Sequence, residues 1–165
     1  QTCALPIYSP FARGWKAGRV FRIRVAAGQT RAIDVCIVYL WASSATDVKA
    51  KAKSTALLNA AVAELFTHQP GPTLLMGDFN AEPGSPALDV LTSGRLADAH
   101  DAARKRCRQK IGTYTGFATT GLRGAPRIDH LLVDGGEVLW YCTEERILDG
   151  FYMSDHLPVY IALMP

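Results

Sequence analysis

Three short polar stretches each adjoin an apolar run of strand length. Gly77-Asp78-Phe79-Asn80 follows Thr73–Met76, Arg127-Ile128-Asp129 leads into the run Ile128–Val133, and Ser154-Asp155-His156 precedes Val159–Leu163. A strand end is rigid and can hold a side chain accurately. Their shared placement at strand ends predicts that Asp78, Asn80, Asp129, Asp155 and His156 converge on one pocket. Taken singly, each stretch is weak. Asp and Asn are common turn formers, an Asp-His pair before Pro is often only a loop, and a lone His is usually a satisfied polar residue. The argument rests on the set, in this order, each member at the mouth of a strand.

The rest of the pattern is mixed. Val20–Val25 alternates, Ala32–Leu40 is apolar, and Gly28-Gln29 lies between them, which predicts a β-hairpin. Thr46–His68 has the strongest helical spacing, with Leu58, Val62 and Leu65 on one face. Gly77–Gly84 reads as a loop. A short helix is expected from Ser85 as N-cap, with Pro86 at its first position and Gly94 as its stop. Ala97–Lys110 could be helical, although it is charged and weakly periodic. Glu137–Cys142 reads as a further strand. Strands mixed with a few helices imply layered α/β packing.

The 165 residues suit one domain, and 48% hydrophobic with 20% charged residues is an ordinary globular mix. No apolar run approaches the roughly 20 residues a membrane span requires. The net charge of +3 names no partner. Cys3, Cys36, Cys107 and Cys142 contain no CxxC pair, so neither a zinc knuckle nor a disulfide framework is expected, and the compartment stays open. Residues 1–7, QTCALPI, lack both a start Met and a signal-peptide pattern. They read as a cloning or assembly scar; the alternative is a native segment exposed by processing.

The quoted motifs resemble those of a known family. They are Leu75–Asn80 with Glu82-Pro83, then Thr113-Tyr114-Thr115-Gly116-Phe117, then Arg127-Ile128-Asp129, and finally Ser154–Val159. Their order and spacing are similar to those of the endonuclease/exonuclease/phosphatase family. The likeness runs from about Arg19 to Leu163, and residues 8–165 are expected to be the C-terminal two-thirds of one such domain. It implies an α/β (α+β) four-layered sandwich, two packed mixed β-sheets flanked by helices, with the first part of the fold missing from this chain. It implies divalent-metal-dependent hydrolysis of a phosphoester, a phosphodiester above all, in a nucleic acid, a phospholipid or a small molecule. Asp78 would orient or deprotonate the attacking water. Asn80 would hold that water or donate to a phosphate oxygen. His156 would donate to the phosphate, with Asp129 orienting its ring. Asp155 would lie at or next to the metal, Mg²⁺ or Mn²⁺ given hard oxygen ligands. The full-length enzyme is expected to be a monomer, and the chain by itself inactive.

Two departures from the family pattern stand out. Many relatives end the strand before the long helix with Thr-His-Leu, where this chain reads Val38-Tyr39-Leu40-Trp41; Tyr39 could substitute as a phosphate donor or only pack. The family's metal-ligating Glu has no match, since no Glu precedes Glu64. Arg127 either touches phosphate or pairs on the surface. His130 reads as packing or substrate-side lining, His68 and His100 as solvated. The basic cluster Arg104-Lys105-Arg106, Arg108 and Lys110 either steers an anionic substrate or is a solvated loop. A non-catalytic phosphate- or nucleic-acid-binding module on the same scaffold is the competing reading, supported by the missing strand-end His.

Overall fold

A computed structural model describes residues 19–27, 31–39, 72–108, 111–120 and 122–165, the first two stretches as backbone. The expected helix Thr46–His68, the Gly28-Gln29 turn, His68, Lys110 and residues 1–7 lie outside these residues. The alternating segments form β1 (Arg19–Ala27) and β2 (Arg31–Tyr39), an antiparallel pair. β3 (Thr73–Asp78) lies parallel to β2, and β6 (Asp129–Asp134) runs antiparallel to β3. The two-residue β4 (Ala97–Asp98) completes a mixed sheet in the order β1-β2-β3-β6-β4. A second sheet runs β5-β7-β8: β5 (Lys105–Cys107) is parallel to β7 (Glu137–Thr143), which is antiparallel to β8 (Val159–Met164).

The period-two alternation of a strand decides what each sheet face covers. Leu74 and Met76 of β3, with Leu131 and Val133 of β6, meet Val138 and Tyr141 of β7 and Val159, Ile161 and Leu163 of β8. That cluster joins the two sheets face to face. Leu75 and Leu132 point the other way and pack with Phe79, Ala87, Leu88 and Leu91. Three of these partners belong to α1 (Pro86–Thr92), so a helix covers the outer face of the first sheet. Burying Leu75 or Leu132 contributes about 1.5–3 kcal/mol each. Truncating either to Ala would cost about 2–5 kcal/mol. The two packed sheets and this helix make the α/β sandwich implied by the motifs. Among the described residues no helix is long and apolar enough to cross a membrane.

Three local expectations are corrected. Gly77 and Asp78 belong to β3 rather than to the loop, because both pair with β6. Ala97–Arg108 is not one helix. It is β4, the four-residue α2 (Ala99–Ala102) and β5. Asp98 is extended and caps α2 through its carboxylate, and Ala103 is extended again. The next amide, Arg104 N–H, bonds to the Val138 carbonyl of the second sheet. Sheet pairing therefore overrides a weak helical pattern, as tertiary context commonly does. Finally, Cys107 and Cys142 are register partners on β5 and β7 and form a disulfide, with Cα atoms 4.9 Å apart. Helix α1 begins at Pro86 as expected, but Ser85 makes no side-chain capping bond.

Candidate active site

The first sheet brings the ends of three strands together. β2 ends at Tyr39, β3 ends at Asp78 and β6 begins at Asp129; Tyr39 is the register partner of Asp78, and Asp78 of Asp129. Asp78 and Asp129 lie on the inter-sheet face, the face of Leu74, Met76, Leu131 and Val133. The second sheet contributes Asp155 and His156 from the segment just before β8.

Two hydrogen-bonded pairs occupy the site. His156 Nδ1 lies 2.8 Å from Asp129 Oδ2. Asn80 stands at φ 46°, a left-handed conformation that Asn tolerates better than most residues. This turn lets both its backbone N–H (2.8 Å) and its side-chain Nδ2 (3.0 Å) donate to the Asp78 carboxylate. Burial lifts the Asp78 carboxyl above the ordinary carboxylate range and nearby Asp129 adds to the rise, against the Asn80 bonds and the His156 charge. Desolvation alone would lower the His156 ring, but Asp129, then Asp78 and Asp155, outweigh it and the ring is held above its usual value. A more basic carboxylate thus sits beside a histidine that favours its charged form.

Two residues not singled out for the site hold it in place. Thr113, fully buried, accepts the backbone N–H groups of both Ile128 and Asp129 on its hydroxyl at 3.0 Å. Tyr114 pairs with His156 as an isolated bridge, with the two rings edge-on at 5.1 Å. Thr113 and Tyr114 N–H both donate to the Pro126 carbonyl, and Gly112 backs onto the Ala125 carbonyl with no room for a Cβ. The Asp155 carbonyl accepts from Thr115 N–H, Gly116 N–H and the Thr115 hydroxyl. The only sequence cue to these roles was the Thr113–Phe117 motif itself.

The remaining candidates lie elsewhere. Arg127 bonds to buried Asp98 at 2.7 Å and lies 3.1 Å from His130 Nδ1, so it is not a surface ion pair. His130 is fully buried. His100, expected to be solvated, lies largely covered against the Tyr141 ring and 2.6 Å from Asp101, because α2 presses it onto the second sheet. In the basic cluster, Arg104 pairs with Glu137, Arg106 approaches Asp101 at 3.9 Å and Arg108 pairs with Glu144, so its three described arginines each face a carboxylate.

The donor set is one of hard oxygens, the type that suits Mg²⁺ or Mn²⁺. Among the described residues no group of three or more His, Cys, Asp or Glu is arranged to hold an ion. Asp155, next to His156, offers a carboxylate of that type, and the described residues do not complete a coordination shell.

Comparison with known proteins adds the ancestry of this arrangement. The sequence matches the description "Endonuclease/Exonuclease/phosphatase family" over residues 4–156. The chain belongs to the endonuclease/exonuclease/phosphatase family. Solved members and relatives share its fold. A functionally unknown conserved protein of Enterococcus faecalis V583 superposes with TM-score 0.71 at 25% identity, over 88% of this chain and 54% of that one. The mannosyl-6-phosphatase of Bacteroides thetaiotaomicron gives 0.74 at 22% identity, over 93% and 60%. Truncated TDP2 of Caenorhabditis elegans gives 0.67 at 16%, over 100% and 65%. The chain thus spans between half and two-thirds of the length of these relatives. No curated protein matches the sequence.

Proposed function

We propose that the full-length protein hydrolyses a phosphoester, most of all a phosphodiester, with Mg²⁺ or Mn²⁺. The observation that carries this reading is the Asp129–His156 hydrogen bond beside the raised carboxyl of Asp78. A phosphodiester is anionic and resists water, so a site must supply a positioned nucleophile and donors for developing charge. Asp78 orients the attacking water and takes its proton, a task its raised pKa favours. Asn80, already bonded to Asp78, holds the same water or donates to a phosphate oxygen. Asp129 accepts from His156 Nδ1, which leaves Nε2 as the donor to a phosphate oxygen. Asp155 would hold the metal ion, which supplies Lewis-acid charge to the phosphoryl oxygens. Tyr39, beside Asp78 in register, stands where many relatives place a phosphate-gripping His.

Within the same proposal, residues 8–165 are the C-terminal two-thirds of the domain, residues 1–7 are non-native, and the chain alone is inactive. That the chain covers 54% and 60% of two solved relatives supports a partial domain. The substrate class stays at nucleic acid, phospholipid or small phosphodiester, and the ion-paired basic cluster lends the first of these no support. The test is turnover of bis-p-nitrophenyl phosphate by the full-length protein with Mg²⁺ or Mn²⁺. Phosphate binding without turnover would favour the non-catalytic module instead.

A further inference from the structure

Behind the Asp129–His156 pair lies a second histidine–carboxylate group, on the opposite face of β6. His130 is fully buried and points with Leu132 toward the helix-covered side of the sheet. Its Nε2 lies 2.9 Å from the Ala81 carbonyl. Its Nδ1 lies 2.9 Å from Asp98 Oδ2 and 3.1 Å from Arg127 Nη1. Arg127 in turn bonds to the same Asp98 oxygen at 2.7 Å. A carbonyl only accepts, so Nε2 must carry a hydrogen and donate to Ala81. Nδ1 either donates to Asp98 or accepts from Arg127, and in both cases the pair fixes the ring plane. Burial alone would raise the Asp98 carboxyl, but His130 and Arg127 outweigh it and hold Asp98 below the usual range, as a charged anchor.

Ala81 directly follows Asn80, the residue in left-handed backbone. The turn Phe79–Ala81 is fastened to the β6 segment on both sides. Phe79 N–H donates to the Ile128 carbonyl at 2.9 Å, and the Phe79 ring stands edge-on to His130 at 5.6 Å. The Ala81 carbonyl is held by His130 itself. Ile128 and His130 flank Asp129, so the strand that carries one half of the site clamps the turn that carries the other. A strained residue persists only where its surroundings over-determine it.

We propose that His130, braced by Asp98 and Arg127, is a positioning residue that sets Asn80 against Asp78 and Asp129 for the reaction. This rests on the hydrolytic reading given above. A polar triad buried for stability alone would be replaceable by apolar packing; a positioning triad is not, because only a donor at the Nε2 position can hold Ala81.

The test compares His130→Leu with His130→Gln in the full-length protein, by kcat and KM on bis-p-nitrophenyl phosphate with Mn²⁺. The Asn80 side-chain amide is followed in parallel by NMR without metal. Gln can place an N–H near the Nε2 position; Leu cannot. His130→Leu is expected to lower kcat by about 10²-fold, the scale of an ångström-sized misplacement, with KM little changed. It should also move the Asn80 amide resonances. His130→Gln should recover most of both. Parental kcat and Asn80 shifts in folded His130→Leu would overturn the proposal, as would a Gln variant no better than Leu. If His130→Leu does not fold, Asp98→Asn keeps the ring but loosens it, and it must then lower kcat and move Asn80. Parental values there overturn the proposal equally. A parent without turnover overturns the hydrolytic reading instead, and the Asn80 shifts still decide the clamp.

Discussion

Asp78 and Asp129 stand directly opposite each other on adjacent antiparallel strands, two carboxylates on a single rung of the sheet. Like charges so placed repel. Each has its own counterweight, Asn80 on Asp78 and His156 on Asp129, and burial raises the Asp78 carboxyl above its ordinary range. Removing either counterweight therefore disturbs both acids.

Turnover should report this directly. In the full-length protein, Asp78→Asn or His156→Ala is expected to lower kcat by about 10²-fold or more, as for loss of a positioned base or donor. Substrate binding should change less. Assays on bis-p-nitrophenyl phosphate with Mg²⁺ or Mn²⁺ check it, and near-parental rates would refute the roles.

The second prediction concerns pH. His156 is held above its ordinary value of 6.5, with Asp129 as the chief upward influence against desolvation. Its charged form contributes stability fully at pH below the unfolded value, and that contribution is lost as pH rises through the folded value. Activity that needs the His156 donor should fall over the same upper window. Asp129→Asn should move the ring's titration downward. NMR titration of the His156 ring in both proteins, without metal, decides; an unmoved pKa would remove the pairing.

Thr113→Val replaces the hydroxyl that receives the Ile128 and Asp129 amides. Two buried N–H groups would lose their acceptor, at a cost of about 1–3 kcal/mol for each left unsatisfied. Denaturant unfolding should show that loss. Asp129 should also lose its fixed register, so kcat should fall with it, while Thr113→Ser should behave nearly as the parent.

The disulfide offers a separate measurement. Cys107 and Cys142 close a span of 35 residues that contains the Thr113–Phe117 motif and Asp129. Opening it by Cys107→Ser should cost roughly 3–4 kcal/mol on a chain-entropy view. A reductant should produce the same loss in the parent and none in the variant.

Residues 8–165 expressed alone are expected to unfold without a sharp transition and to show no metal-dependent turnover. Domain stability is only about 5–15 kcal/mol, and uncovered strand edges promote aggregation. A monomer with cooperative thermal unfolding and activity would refute this.

Much of this arrangement was legible in the sequence where local rules govern. Alternation marked β1, apolar runs of strand length marked β2, β3, β6, β7 and β8, and Pro86 marked the start of α1. The three polar stretches pointed at Asp78, Asn80, Asp129, Asp155 and His156, which the structure gathers at neighbouring strand ends. What escaped depends on which elements meet. Thr113 matters because its hydroxyl approaches amides 15 and 16 positions away. The Cys107–Cys142 bond requires the parallel pairing of β5 with β7, which no spacing reveals. His130 read as packing or substrate-side lining, because a buried ring's partners, here Asp98 and Ala81, come from distant segments. Ala97–Lys110 reads as a possible helix because strands of two and three residues carry too little pattern to show.

The close approach of Gly112 to the Ala125 carbonyl, with Thr113 and Tyr114 bonded to Pro126, has one more consequence. Chain entry and exit are stitched together there, so the intervening tip behaves as a cassette. Its exposed part, residues 117–120, can change length or composition without pulling on the stitch, which the Ile111–Arg123 bridge extends. Sequence change therefore has a natural place to occur in this scaffold, with the Asp129–His156 pair held apart from it.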